Sequence, residues 1–155
     1  MEIEKKFLLE QIPFPLAGFP CSRMRQCYIS TDPVIRLRQC DDAYVLTVKG
    51  RSHDPMVRQE FELPLTERQF AALLAKNETN IVAKTRYYIP LAGGLTAELD
   101  VYEDALAGLL TVEVEFASVA TARNFVPPDW FGPDVTADGA YHNSALARYG
   151  LPTRG

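Results

Sequence analysis

Several short segments of this chain alternate charged and apolar side chains with a period of two, and the charged positions are nearly all Glu, Asp, Lys or Arg. In a strand, residues two apart share a face. Glu2, Glu4 and Lys6 therefore lie together, with Ile3 and Phe7 on the other side. The same division sets Arg36 and Arg38 against Ile35 and Leu37, and Thr47 and Lys49 against Leu46 and Val48. Arg58, Glu60 and Glu62 oppose Val57, Phe61 and Leu63. Lys84 and Arg86 follow, then Glu98 and Asp100 against Leu99 and Val101, and Glu113 and Glu115 against Val112, Val114 and Phe116.

An antiparallel sheet with one wet face would produce polar alternation too. A wet face, however, mixes Ser, Thr, Asn and Gln among its charges. Here the charges are also segregated: Glu98/Asp100 and Glu113/Glu115 are wholly acidic, Arg36/Arg38 and Lys84/Arg86 wholly basic. Like charges on one strand do not help it pair. If the charged face lines a closed sheet, dry burial costs several kcal/mol per ion, so the interior must be wet, extensively paired or filled by ligand. Carboxylates suit a hard divalent cation that keeps water and phosphate as further ligands. Arg and Lys suit phosphate oxygens. One cavity lined by both describes a site for a metal–polyphosphate complex.

The remaining segments supply the cover. Strands are expected near 1–10, 24–30, 34–40, 43–50, 57–64, 81–90, 95–103 and 110–117, which is an antiparallel rhythm. Residues 66–76 read as a helix with Thr66 as N-cap and Phe70, Leu73 and Leu74 as its apolar stripe. A second helix is expected over 118–125 and a short terminal one over 143–149, stopped by Gly150. The 155 residues fit one domain, 1–155, with 47% apolar and 23% charged content. The apolar 13–20 and 106–110 segments read as caps. A net charge of −4 argues against general nucleic-acid binding, and no apolar run reaches the ~20 residues of a membrane span. The charged start excludes a secretory signal, and the odd set Cys21, Cys27 and Cys40 reads as reduced thiols, so a cytoplasmic protein is expected.

These residues also resemble a known family, the CYTH superfamily of triphosphate tunnel metalloenzymes. Glu2-Ile3-Glu4-Lys5-Lys6 resembles its ExExK signature. Arg25-Gln26-Cys27-Tyr28, Ile35-Arg36-Leu37-Arg38, Leu46-Thr47-Val48-Lys49, Lys84-Thr85-Arg86-Tyr87, Glu98-Leu99-Asp100-Val101-Tyr102 and Val112-Glu113-Val114-Glu115 follow in its order, and Tyr141-His142-Asn143 resembles its terminal element. Cys27 stands where the family usually has Gly, and no basic residue directly precedes Tyr141.

The resemblance implies an α+β, mainly β fold: a closed eight-stranded antiparallel barrel forming a tunnel, with helices outside. It implies Mg²⁺ or Mn²⁺ held by Glu2, Glu4, Glu113 and Glu115. Glu60 and Glu62 would serve a second metal or position water, with Glu98 and Asp100 supporting. Arg36, Arg38, Lys49, Arg58, Lys84 and Arg86 would grip the phosphates. Lys6 and Tyr28 match a dyad suggested to activate water in short bacterial members, Lys6 being open to either a base or a clamp role. The expected reaction is hydrolysis of inorganic tripolyphosphate to diphosphate and phosphate. Thiamine triphosphatase or adenylyl cyclase activity, and a non-catalytic polyphosphate-binding module, are the alternatives. The expected partner is a small-molecule triphosphate, bound by a monomer or a homodimer.

Overall fold

Nine antiparallel strands curl into a nearly closed barrel in the computed structural model, which describes residues 1–50 and 53–152. They are β1 (Glu2–Leu8), β2 (Cys21–Thr31), β3 (Val34–Cys40), β4 (Ala43–Lys49), β5 (Val57–Arg58), β6 (Glu60–Leu65), β7 (Val82–Pro90), β8 (Thr96–Tyr102) and β9 (Leu110–Glu115). The order around the sheet is β5-β1-β9-β8-β7-β2-β3-β4-β6.

The ninth strand comes from a break. The single strand expected over 57–64 is interrupted at Gln59, so β5 pairs with β1 while β6 pairs with β4. The two ends of the sheet are therefore joined through one residue, and the ring closes by chain continuity there. Gly50 at the end of β4 donates to Gln59 O at 2.9 Å, holding the break in place. Elsewhere the expected strands stand with shifted ends: β1 stops at Leu8 rather than near residue 10, and β2 begins earlier, at Cys21.

The apolar residues of this barrel face outward. On β1, β7, β8 and β9 that face carries Phe7, Ile89, Ala97, Leu99 and Val112, covered by Leu9, Leu16, Phe14, Trp130 and Phe131 from the connecting segments. The expected first helix is α1 (Glu67–Leu74). Thr66 accepts from Gln69 N at 3.1 Å while Gln69 Oε1 accepts from Thr66 N at 2.9 Å, a complete capping box. Its Phe70, Leu73 and Leu74 cover Cys27 and Leu37 on β2 and β3. The second helix, α2 (Val119–Arg123), is shorter than expected and packs Ala122 against Val114 and Phe116.

The third helix does something different. In α3 (Asn143–Tyr149), Leu146 and Ala147 pack on Tyr28, Val82 and Tyr102. In register these three share the faces of the inward charged residues, so α3 fills one mouth of the barrel. Gly150, at φ 76°, ends it in the left-handed region that glycine enters without penalty. Apolar cover thus lies outside and at one end, leaving the interior to charge.

Candidate active site

The inward residues enclose two connected spaces. The wider, about 440 Å³, is lined by Glu2, Glu4, Arg36, Arg38, Lys49, Glu60, Glu62, Arg86, Glu98, Glu113 and Glu115. The narrower, about 50 Å³, lies toward α3 and shares Glu4, Arg36, Lys49 and Glu113 with it. Lys6, Tyr28, Arg58, Thr136 and His142 complete that end. Of the sixteen residues singled out from the sequence, only Lys84 and Asp100 line neither space. Both are wholly buried beside them, and Glu62 and Glu115 sit at an exposed rim.

Register explains this convergence. Lys84 and Tyr102, Arg86 and Asp100, Glu98 and Glu113, and Arg36 and Thr47 are direct cross-strand partners and so share the inner face. At the centre is a dry cluster. Arg86 grips Asp100 with a two-pronged contact, Nε to Oδ1 at 2.8 Å and Nη2 to Oδ2 at 2.9 Å. Lys84 Nζ lies 2.7 Å from Asp100 Oδ2, and Arg86 Nη1 lies 2.5 Å from Glu98 Oε2. Burial alone would raise the Asp100 carboxyl, but Arg86 and Lys84 outweigh it and hold it below the usual range. Burial lowers Lys84 to about 8, against the pull of Asp100. Lys84, expected to grip phosphate, lies on Asp100, the same carboxylate that Arg86 holds.

The other cations fall into two groups. Lys49 Nζ lies 3.2 Å from Glu2 Oε1 and 3.7 Å from Glu60 Oε2. Lys6 Nζ donates to the Tyr141 carbonyl at 2.6 Å and lies 3.7 Å from Glu113 Oε1. By contrast, Arg36, Arg38 and Arg58 have no ion pair among the described residues. Arg36 Nη2 donates to Thr47 Oγ1 at 3.2 Å, and Arg58 Nη2 lies 3.1 Å from His142 Nδ1. Burial, with Arg36 and Arg86 nearby, lowers Arg38 from the ordinary guanidinium range. Guanidinium groups crowded inside a barrel without carboxylates are costly unless an anion joins them.

The carboxylates show the complementary strain. Burial, with Glu113 and Glu2 beside it, pushes Glu4 well above the usual range. Burial would raise Glu113 too, but Lys6, Arg86 and Lys84 overcome it and hold it well below. Of this pair Glu4 therefore has the higher proton affinity. Burial likewise raises Glu2, Glu98 and Glu115. Glu60 Oε2 is buried without a hydrogen bond. Among the described residues no three potential ligands already converge as a cation cage. The donor set nonetheless fits a divalent cation: hard oxygens, several with raised proton affinity, one buried oxygen held only by a 3.7 Å ion pair to Lys49, beside a space that admits water and phosphate.

Burial drives Tyr28 up to about 12, so its phenol keeps its proton and acts as a hydroxyl. Thr136 and His142 reach the site from connecting segments. No periodicity marks such residues, and sequence reasoning assigned them nothing. Burial, then the charge of Arg58, lowers His142, leaving a neutral ring whose Nδ1 accepts from that arginine. Asn143 was visible only as part of the terminal motif; its Oδ1 accepts from Tyr102 at 3.1 Å.

No family model matches the chain. Over 149 residues it is 42% identical to the inorganic triphosphatase of Nitrosomonas europaea, covering 94% of this chain and 96% of that one. It is 32% identical to the inorganic triphosphatase of Acetivibrio thermocellus, covering 95% and 93% respectively. A crystal structure of an inorganic triphosphatase, 40% identical, matches with a TM-score of 0.69 over 95% of this chain and 94% of that one.

Proposed function

The chain belongs to the CYTH family of triphosphate tunnel enzymes, in its bacterial inorganic triphosphatase branch, and we propose that it hydrolyses inorganic tripolyphosphate to diphosphate and phosphate. The observation that carries the reading is the pairing pattern inside the barrel. Arg36, Arg38 and Arg58 have no carboxylate partner among the described residues, while in the same space Glu4 has a raised proton affinity and Glu60 Oε2 accepts no hydrogen bond from them. A polyanion accompanied by a cation satisfies both sets at once.

In this reading the three arginines take phosphate oxygens, and Arg86, fixed by Asp100 and Lys84, presents a fourth guanidinium in a constant direction. Lys49 and Lys6 join as phosphate displaces them from their carboxylates. The Lys6 contacts, a carbonyl and a carboxylate, are those of an ammonium, which favours the clamp role over the base role. Tyr28 orients the attacking water through its hydroxyl. Phosphoryl transfer asks little covalent chemistry of the protein; positioning and charge neutralisation carry it. Glu2, Glu4, Glu113 and Glu115 would hold Mg²⁺ or Mn²⁺, with Glu60 and Glu62 available for a second ion. Such an ion neutralises charge on the phosphate oxygens. Water forms the new P–O bond as the bridging P–O bond breaks, and the displaced diphosphate leaves with the proton balance met by solvent.

The whole chain acts as one domain in this reading. Its three thiols are all free, which supports a cytoplasmic setting. No helix among the described residues is long and apolar enough to cross a membrane. Trp130 and Phe131 pack on the outer face against Phe14 and Phe7, where neither can stack on a base or thiazolium ring held inside the barrel. The test is phosphate release from tripolyphosphate, thiamine triphosphate and ATP, each with Mg²⁺, Mn²⁺ or EDTA, with cyclic AMP followed in parallel. Fastest turnover is expected with tripolyphosphate and metal, and none in EDTA. Binding of tripolyphosphate without any turnover would establish a binding module instead.

A further inference from the structure

Gln26 lies in the middle of β2 and is 1% exposed, yet neither its Nε2 nor its Oε1 has a hydrogen-bond partner among the described residues. Native interiors rarely leave both ends of an amide unsatisfied, and an apolar side chain of similar size would avoid the cost. Gln26 stands two residues before Tyr28, and the alternation of β2 places both on the inner face, with Cys27 turned outward beneath α1. Its cross-strand partner on β3 is Arg38. The Nε of Arg38 is also buried without a partner, as is that of Arg36 one step along the same face.

Two orphaned groups of opposite hydrogen-bonding sense thus sit side by side. Amide Oε1 accepts, guanidinium Nε donates, and cross-strand partners of this kind have Cβ atoms about 4.5–5.5 Å apart, within reach for two long side chains. We propose that Gln26 is a positioning residue for Arg38: its Oε1 accepts from Arg38 Nε as the outer nitrogens of the guanidinium engage a phosphate. The role suits glutamine in particular. A glutamate would neutralise Arg38 and withhold it from the anion, while an apolar residue would leave the guanidinium unguided.

The inference rests on the triphosphatase reading, and its test separates the two. Tripolyphosphate binding is measured by calorimetry in EDTA, steady-state kinetics with Mg²⁺, and unfolding by thermal melt, for wild type, Gln26→Met and Gln26→Glu. Losing one such hydrogen bond should raise the Kd and KM of Gln26→Met about tenfold. Its kcat should stay within about twofold and its Tm should be unchanged or higher, because a buried unsatisfied amide has gone. Gln26→Glu should weaken binding further, and it carries the test alone if the Met variant does not fold. In an Arg38→Ala background, Gln26→Met should have no added effect on Kd. A lower Tm with unchanged KM would make Gln26 a structural residue and overturn the proposal, as would additive effects in the double variant. If wild type neither binds nor cleaves tripolyphosphate, the functional reading fails and takes this inference with it; if wild type is active and both variants match it, only the inference falls.

Discussion

Glu4 concentrates the electrostatics of the site on one residue. Burial, Glu113 and Glu2 raise its proton affinity well above that of a glutamate in an unfolded chain. The native state then holds the proton more tightly than the unfolded state does. This contribution is complete below the unfolded value of about 4.3 and is lost as pH rises through the folded value. In EDTA the Tm should therefore fall as pH rises above the ordinary carboxylate range. Glu4→Gln, neutral throughout, should flatten that slope and raise the Tm at pH 8 by roughly 2–4 °C, while abolishing metal-dependent turnover. A melt series across pH for both proteins checks the first claim and phosphate release the second; full activity in this variant would remove Glu4 from the metal set. Asp100 and Glu113 carry the opposite sign, stabilising above the ordinary carboxylate range and losing that as pH falls through their depressed values. At this scale the sequence spoke clearly wherever a residue belonged to a strand, because period two assigns the face. It said nothing of Thr136, which arrives from an irregular segment, and showed His142 only within the terminal motif; it placed Lys84 on the right face without revealing its ion pair with Asp100.

Helix α1 and the Gln59 break show what alternation and capping each disclose. Thr66 was readable as a cap because a hydroxyl followed three residues later by Gln69 satisfies two orphan backbone donors. Thr66→Ala should cost about 1 kcal/mol in urea unfolding without changing turnover, since α1 lies outside the barrel. Helix α3 is different, because its packing face closes the interior. Leu146 is 1% exposed against Tyr28 and Tyr102, so Leu146→Ala should cost about 2–5 kcal/mol and also raise the KM for tripolyphosphate as the mouth loosens. An unchanged KM would show that α3 is merely structural. The division of one expected strand into β5 and β6 was not legible, for a physical reason. Arg58, Glu60 and Glu62 keep the same parity across Gln59, so the chain changes its neighbour without changing its face. Pattern reports faces; partners are settled by the curl of the sheet.

The whole molecule inverts the ordinary arrangement of a small barrel, with apolar residues outside under loops and helices and ions within. Such an interior gains from its ligand more than most folds do. Tripolyphosphate at a hundred times its Kd should stabilise the protein by about 2.7 kcal/mol. That corresponds to roughly 5–11 °C in Tm for a chain of this size. The shift should shrink as salt screens the exposed rim at Glu62 and Glu115. A melt with and without tripolyphosphate, at two ionic strengths, measures both. The family and its barrel are legible in the amino-acid pattern because each charged strand repeats the same message, whereas the partition of cations into paired and unpaired arises only from the side-chain geometry. The break at Gln59 bears on this scale as well. A ring sealed all round by ladder hydrogen bonds has a fixed circumference; one sealed through a single peptide link is a split washer. Bending there would open the Gly50–Gln59 hydrogen bond alone and leave every ladder intact. The bore can therefore adjust to what it grips without the sheet being unzipped.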